Sequence, residues 1–128
     1  MRKNIKIEAS DFSPMIELNN ETGKIRIEGR SLPENTDEVF QPLVSWLKEC
    51  GSEMNRETQI VFKLEYYNSA SLRKFADILF LLKKIGNESK KNVSVLWYYE
   101  DGDETSWENA IDLKMSVDLP FELQKIEM

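Results

Sequence analysis

The middle of the sequence passes from a strand pattern to a helix pattern and back, and this order limits the possible folds more than any other feature. Residues 59–67 alternate apolar and polar side chains, whereas residues 72–85 carry apolar side chains at helical spacing and end before Gly86. Residues 92–99 are apolar on both faces, as in an interior strand. A strand, a helix and a strand in succession form a βαβ unit, whose strands are parallel and whose crossover is almost always right-handed. The sequence therefore predicts an α/β fold with a central right-handed βαβ unit.

The N-terminal part of the chain adds strands and a first helix to this unit. Three short strand-like segments open it: residues 5–9, 15–18 and 24–28. Because turn-forming residues 19–23 join the second and third segments, we expect these strands to be antiparallel neighbours. A helical pattern follows and ends at Gly51, and Pro42 within it requires either a kink or a regular helix that begins only at Pro42.

The C-terminal part predicts less regular structure. Residues 106–115 have some helical character, and residues 118–123 resemble an edge strand that contains Pro120. The whole chain is then a mixed β-sheet packed against two principal helices. Its 128 residues fit one domain, which we place at residues 1–128.

The composition argues against an enzyme. Histidine is absent, which removes the commonest general base and most zinc sites. The five glycines stand singly at the ends of predicted elements and form no glycine-rich phosphate loop. We therefore expect no catalytic residue, no cofactor and no bound metal.

The charges and the apolar segments of the sequence argue against a nucleic-acid-binding protein and against a membrane protein. The net charge is −6, and residues 100–128 hold nine acidic residues against two lysines. Nucleic-acid binding needs a basic stripe, which the sequence lacks. No apolar stretch approaches the roughly 20 residues that span a bilayer, and no secretory signal follows the N-terminus. We expect a cytoplasmic protein that does not insert into membranes.

The acidic segment at residues 100–108 allows two interpretations. Carboxylates that follow a parallel strand lie where α/β proteins bind ligands, so a metal-dependent enzyme is one alternative. Acidic runs in loops are more often solvated, and the partner groups of a catalytic site are missing. A surface that faces a protein partner is the better interpretation.

The turn between the predicted strand and the second helix is the best candidate site. Residues 66–71 lie at the amino end of a helix, where free N–H groups and the helix dipole favour negative charge. A phosphate on Ser69 or Ser71 would be tolerated there and would add about −1.5 to −2 charges. Asn68 and both serines are equally typical of a simple helix cap. Tyr66 could help to frame a partner contact, but it shares a strand face with apolar residues, which favours a place in the core.

Three motifs in this order point to a known family. They are Gly29-Arg30-Ser31-Leu32-Pro33-Glu34-Asn35, Tyr66-Tyr67-Asn68-Ser69-Ala70-Ser71 and Trp97-Tyr98-Tyr99-Glu100-Asp101-Gly102-Asp103-Glu104. Together they resemble the SiaC family of bacterial regulatory phosphoproteins, single domains related in architecture to STAS-type anti-sigma-factor antagonists. The chain departs from the family pattern at Leu32, where an aromatic residue is common, at Ser69, where threonine is common, and at Ala70, where serine is common.

The resemblance implies a STAS-like regulatory domain that switches partners. In such a system a serine/threonine kinase phosphorylates the asparagine-led turn, a PP2C-type phosphatase removes the phosphate, and the unmodified protein binds an effector. In the family the effector is a diguanylate cyclase, which links the switch to cyclic-di-GMP signalling and biofilm behaviour. The motif then implies that Ser69 is the first candidate phosphoacceptor and Ser71 the second.

We expect five residues to contact the partner: Tyr67, Asn68 and Ser69 in the turn, and Asp101 and Asp103 in the acidic segment. Charge and bulk added at Ser69 would break the docking. The rival interpretation is a protein-binding adaptor that binds its partner constitutively and in which Ser69 only caps the helix.

Overall fold

The computed structural model describes residues 4–127, which form a six-stranded sheet and three helices. The strands are β1 (Ile5–Ile7), β2 (Met15–Asn19), β3 (Lys24–Ser31), β4 (Glu57–Tyr67), β5 (Asn92–Glu100) and β6 (Phe121–Ile126). The helices are α1 (Thr36–Cys50), α2 (Ser69–Ser89) and α3 (Glu104–Val117), with a 3-10 turn at Gly51–Glu53. Within residues 4–127, no helix is both long and apolar enough to cross a membrane.

The strands lie in the sheet in the order of the sequence. β1, β2 and β3 are antiparallel neighbours, and β3 to β6 are parallel to one another. This confirms the α/β class, the mixed sheet, the antiparallel N-terminal strands and the parallel βαβ unit. α1 packs against α2 and α2 against α3, and all three contribute to one core, so the helices lie on one face of the sheet.

The hydrophobic core lies between this face and the helices. Alternate residues of the strands and the apolar sides of the helices form this core. Its large, fully buried side chains include Phe40, Phe62, Phe75 and Trp97. The rings of Phe62 and Trp97 are 5.1 Å apart between centroids, and those of Phe62 and Phe75 are 5.0 Å apart. The other face of the sheet carries charged side chains such as Arg26, which pairs with Glu17 and Glu28.

The prediction of two principal helices was wrong, because α3 is a third regular helix of 14 residues. Its apolar side chains are few but well placed, and Ala110, Leu113 and Val117 are buried against the sheet. The Asp103 side chain caps it by accepting a hydrogen bond from the Ser106 N–H at 3.0 Å.

Several predicted element boundaries also differ from the structure. α2 does not end before Gly86 but continues to Ser89, because Gly86 leaves room for the returning chain: a Cβ on it would lie 3.0 Å from the Lys91 carbonyl oxygen. β6 begins after Pro120 instead of including it. Of the two alternatives at Pro42, a regular helix that begins only there is wrong, because α1 begins at Thr36 and continues through the exposed Pro42.

One ion pair connects α1 to α2 above the core. The Lys74 Nζ lies 2.5 Å from Asp37 Oδ1, with the lysine side chain 16% exposed and the aspartate 83% exposed. The hydrogen bond from Lys74, assisted by its charge, lowers the pKa of the Asp37 carboxyl. Because the folded-state pKa lies below the unfolded one, this pair stabilises the protein above the unfolded pKa and ceases to do so as pH falls through the folded value.

We predict that Asp37→Asn lowers the free energy of unfolding at pH 7 and that its difference from the unsubstituted protein shrinks well below pH 4. Urea denaturation at pH 7 and at pH 3 measures both differences. Asp112→Asn, which changes an exposed carboxylate on α3, is the control and should show no comparable loss. A deficit for Asp37→Asn that is equal at the two pH values would contradict the assignment.

Candidate functional site

The candidate site lies at the carboxyl ends of the parallel strands, where β4 passes directly into α2. Asn68 is the N-cap of α2, with an extended backbone, and its side-chain oxygen accepts a hydrogen bond from the Ser71 N–H at 2.8 Å. Ser69 is therefore the first residue of the helix, and its side chain is exposed. The amino end of a helix favours an added negative charge at this position.

The turn that begins α2 is braced by the turn that follows β3. The Ser31 carbonyl oxygen accepts hydrogen bonds from the Asn68 N–H at 3.0 Å and from the Ser71 hydroxyl at 2.9 Å. The Ser31 and Ser71 hydroxyl oxygens are 2.7 Å apart, and the Asn68 side-chain amide donates to the Pro33 carbonyl at 3.4 Å. The first two motifs of the sequence are thus one hydrogen-bonded unit.

This unit distinguishes the two serines that were predicted as phosphoacceptors. Ser71 is fully buried, at 0% exposure, and its hydroxyl is engaged with Ser31. A phosphate on Ser71 would have to displace these bonds and enter the core, so the structure argues against Ser71 as a phosphoacceptor. Ser69 has no such obstacle, and its modification stays a prediction.

A groove of about 490 Å³ separates the amino ends of α2 and α3 and brings most of the predicted site residues together. Tyr67, Asn68, Ser69 and Asp103 all line it. Asp101 lies outside the groove, and its carboxylate is 4.0 Å from the Lys125 Nζ. The partner-binding role predicted for these five residues is not tested by their positions.

The two tyrosines that end β4 occupy positions opposite to those expected. The register between β3 and β4 shifts by one residue after the Gly29–Leu64 pair. The next residue of β3, Arg30, pairs with Tyr66, so Glu65 has no partner in β3. This β-bulge reverses the alternation of side chains. Tyr66 is consequently 59% exposed, so its predicted place in the core was wrong.

Tyr67 takes the inward position instead and connects the groove to the core. Its ring lies 5.8 Å from that of Trp97, and its hydroxyl oxygen accepts a hydrogen bond from the Asn109 side chain at 2.8 Å. The Trp97 ring N–H donates to the Ser106 hydroxyl at 3.0 Å. These two bonds hold α3 against β4 and β5, and sequence reasoning named neither Asn109 nor Ser106 as a site residue.

The acidic segment at residues 100–108 does not gather into a metal-binding arrangement. Throughout the described part of the chain, no three carboxylate or cysteine side chains are grouped so that they could hold a metal ion. Asp103 instead caps α3.

Comparison with known proteins assigns this arrangement to a family. A family model described as SiaC family regulatory phosphoprotein matches residues 7–126. The chain belongs to the SiaC family. A curated relative, an uncharacterized protein of Pseudomonas aeruginosa, is 27% identical over 120 residues, which are 94% of each chain.

Solved structures of SiaC from Pseudomonas aeruginosa have the same fold. One superposes with a TM-score of 0.85 at 25% identity and covers 98% of this chain and 100% of that chain. Another shows the diguanylate cyclase SiaD in complex with its activator SiaC, with a TM-score of 0.82 at 26% identity over 95% of this chain and 99% of that chain. The family resemblance read from the three motifs is therefore confirmed.

We predict that Ser71→Ala destabilises the fold and that Ser69→Ala does not. Removal of the Ser71 hydroxyl takes its partner from the buried Ser31 hydroxyl and one of two hydrogen bonds from the Ser31 carbonyl oxygen, which costs roughly 1–3 kcal/mol of unfolding free energy. An exposed substitution such as Ser69→Ala usually changes it by less than about 0.5 kcal/mol. Urea denaturation of the two variants, which differ in position by two residues, measures the contrast. Equal stability of both would show that the Ser31–Ser71 contact contributes nothing.

Proposed function

We propose that this chain is a non-enzymatic, phosphorylation-controlled regulator that binds a diguanylate cyclase in its unmodified form and releases it when Ser69 is phosphorylated. A serine/threonine kinase adds the phosphate and a PP2C-type phosphatase removes it. All of these partners act in the cytoplasm, where we place the protein. The output is then a change in cyclic-di-GMP and in biofilm behaviour.

The observation that carries this proposal is the contrast between Ser69 and Ser71 in one turn. The fold fixes the Ser71 hydroxyl inside the molecule and presents the Ser69 side chain at the groove. A kinase can reach Ser69 without unfolding the helix, because Asn68 and Ser71 hold the first turn from inside. Membership of a family of regulatory phosphoproteins and a relative that activates a cyclase support the same assignment.

Electrostatics explains how the phosphate would act. The groove already contains the carboxylates of Glu65 and Asp103. A phosphate on Ser69 adds about −1.5 to −2 charges and several ångströms of bulk beside them. The helix dipole makes this charge acceptable to the folded domain. A partner surface complementary to the neutral turn would no longer fit. Phosphorylation would therefore change binding of the partner without changing the fold.

The first prediction from this proposal concerns the site of modification. Protein isolated from its native cell should carry phosphate on Ser69 and none on Ser71, as determined by intact mass and peptide fragmentation. Ser69→Ala should abolish the modification. An absence of phosphate on Ser69 in cells that demonstrably express the kinase would contradict the switch and leave the constitutive adaptor.

The second prediction concerns binding. Unmodified protein should bind one of the purified diguanylate cyclases of the source organism, and protein fully phosphorylated on Ser69 should bind it at least roughly tenfold more weakly. Isothermal titration calorimetry measures both affinities. Ser69→Ala, incubated with the same kinase, is the matched control and should keep the unmodified affinity. Equal binding by both forms would favour the constitutive adaptor.

A further inference from the structure

Arg73 is a cation on the exposed side of α2, one turn after Ser69. Within residues 4–127 its guanidinium forms no ion pair and no hydrogen bond. The neighbouring Lys74, by contrast, is paired with Asp37. Asp77 lies one turn beyond Arg73 on the same helix, yet these two side chains are not paired either. Arg73 is therefore available to another negatively charged group.

Helix geometry directs the Arg73 side chain toward Ser69. Ser69 is the first residue of α2 and Arg73 follows it by four residues, so their Cβ atoms are neighbours on one face, roughly 5–6 Å apart. Side chains of a helix lean toward its amino end, and a long side chain covers the residues three and four positions before it. For Arg73 these residues are Ala70 and Ser69, and Ala70 is exposed and leaves room because its side chain is a single methyl group.

The charges on the groove side of Ser69 are negative. Among the described residues that line the groove with Ser69, the charged ones are Glu65 of β4 and Asp103 of α3. The first turn of α2 contains no acidic residue. A phosphate on Ser69 is thus repelled by the groove and attracted along α2, where the helix dipole and Arg73 both favour negative charge. The surrounding charges give the phosphate one favoured direction.

We propose that Arg73 is the internal counter-ion of phosphorylated Ser69. The inference rests on the proposed function, because it concerns the modified state of the same residue. A negative group four residues before a positive one is the more stabilising order of such a pair in a helix, and Arg73 before Asp77 is the weaker order. A guanidinium can also donate two parallel N–H bonds to a phosphate. Arg73 then holds the phosphate against α2 and stabilises the modified domain.

The pair also changes what a partner meets at this turn. In the unmodified domain, the exposed face of α2 presents the Ser69 hydroxyl and the positive charge of Arg73. Phosphorylation adds about −1.5 to −2 charges, and pairing with the phosphate neutralises Arg73. A partner that contacts both groups therefore loses both contacts through one modification.

Phosphorus NMR tests the pair in the 128-residue chain with phosphoserine genetically encoded at position 69, so that no kinase is needed. Because Arg73 favours the doubly charged phosphate, it lowers the second pKa of the phosphate, and Arg73→Gln should raise this pKa by roughly 0.3 pH units. Arg73→Lys keeps a positive charge and should restore much of the difference. Lys84→Gln is the matched control, because it removes the same charge from an exposed position of α2 about 22 Å along the helix from Ser69. It should leave the phosphate pKa unchanged.

A second measurement follows the arginine itself. In ¹⁵N-labelled protein, the Arg73 Nε–H resonance should move downfield when position 69 carries phosphoserine and should titrate with the same midpoint as the phosphorus signal. Equal phosphate pKa values in Arg73→Gln and Lys84→Gln would overturn the pairing and leave the proposed function standing. An absence of phosphate on Ser69 in the native cell would instead overturn the proposed function, whatever the titration shows, which separates the two failures.

Discussion

The amino end of α2 is held by the Ser31 carbonyl oxygen, which accepts hydrogen bonds from both the Asn68 N–H and the Ser71 hydroxyl. Strand pairing makes this contact possible, because β3 and β4 are parallel and end side by side. The turns that follow two neighbouring parallel strands must meet at the same edge of the sheet. Once they are joined, the first turn of α2 has no freedom to move away from β3.

Parallel strand order also determines which groups share the groove. α2 and α3 follow adjacent strands, so their amino ends lie next to each other at one edge of the sheet. The Asn68 side chain caps α2, and the Asp103 side chain caps α3. The Tyr67–Asn109 and Trp97–Ser106 hydrogen bonds then fix α3 at its distance from β4 and β5. A groove with one neutral cap and one acidic cap is the consequence.

Much of this architecture could be predicted from local patterns. The β4–α2–β5 order predicted a parallel βαβ unit, and the turn at residues 19–23 predicted the antiparallel N-terminal strands. α3 was underestimated because its few apolar residues weaken a periodic signal, and because Asp103, which caps it, was interpreted as a partner contact. Gly86 was taken for a helix end because a glycine required by close packing cannot be distinguished from a capping glycine without the neighbouring chain.

The candidate site shows where local patterns stop. Asn68 as a cap and the exposed Ser69 follow from residue types and position, whereas the burial of Ser71 depends on a partner 40 residues away in sequence. Tyr66 faces outward and Tyr67 inward because of the β-bulge at Glu65. The sequence pattern does not predict this bulge, because apolar and polar residues keep alternating beyond it. The family motifs included both turns, but only the fold shows that Ser31 of the first motif forms hydrogen bonds with Asn68 and Ser71 of the second.

A rigid turn of this kind suits a switch that is read from outside. The bonds that hold the turn involve Ser31, Asn68 and Ser71, and none of them uses the Ser69 side chain. A phosphate on Ser69 would therefore leave these bracing contacts in place, and the helix dipole would offset part of its charge. The domain need not change its conformation for its surface to become negatively charged at Ser69. Under the proposed function, the free-energy difference between the two states would appear in the complex, where the phosphate would lie beside Glu65 and Asp103, which line the groove with Ser69.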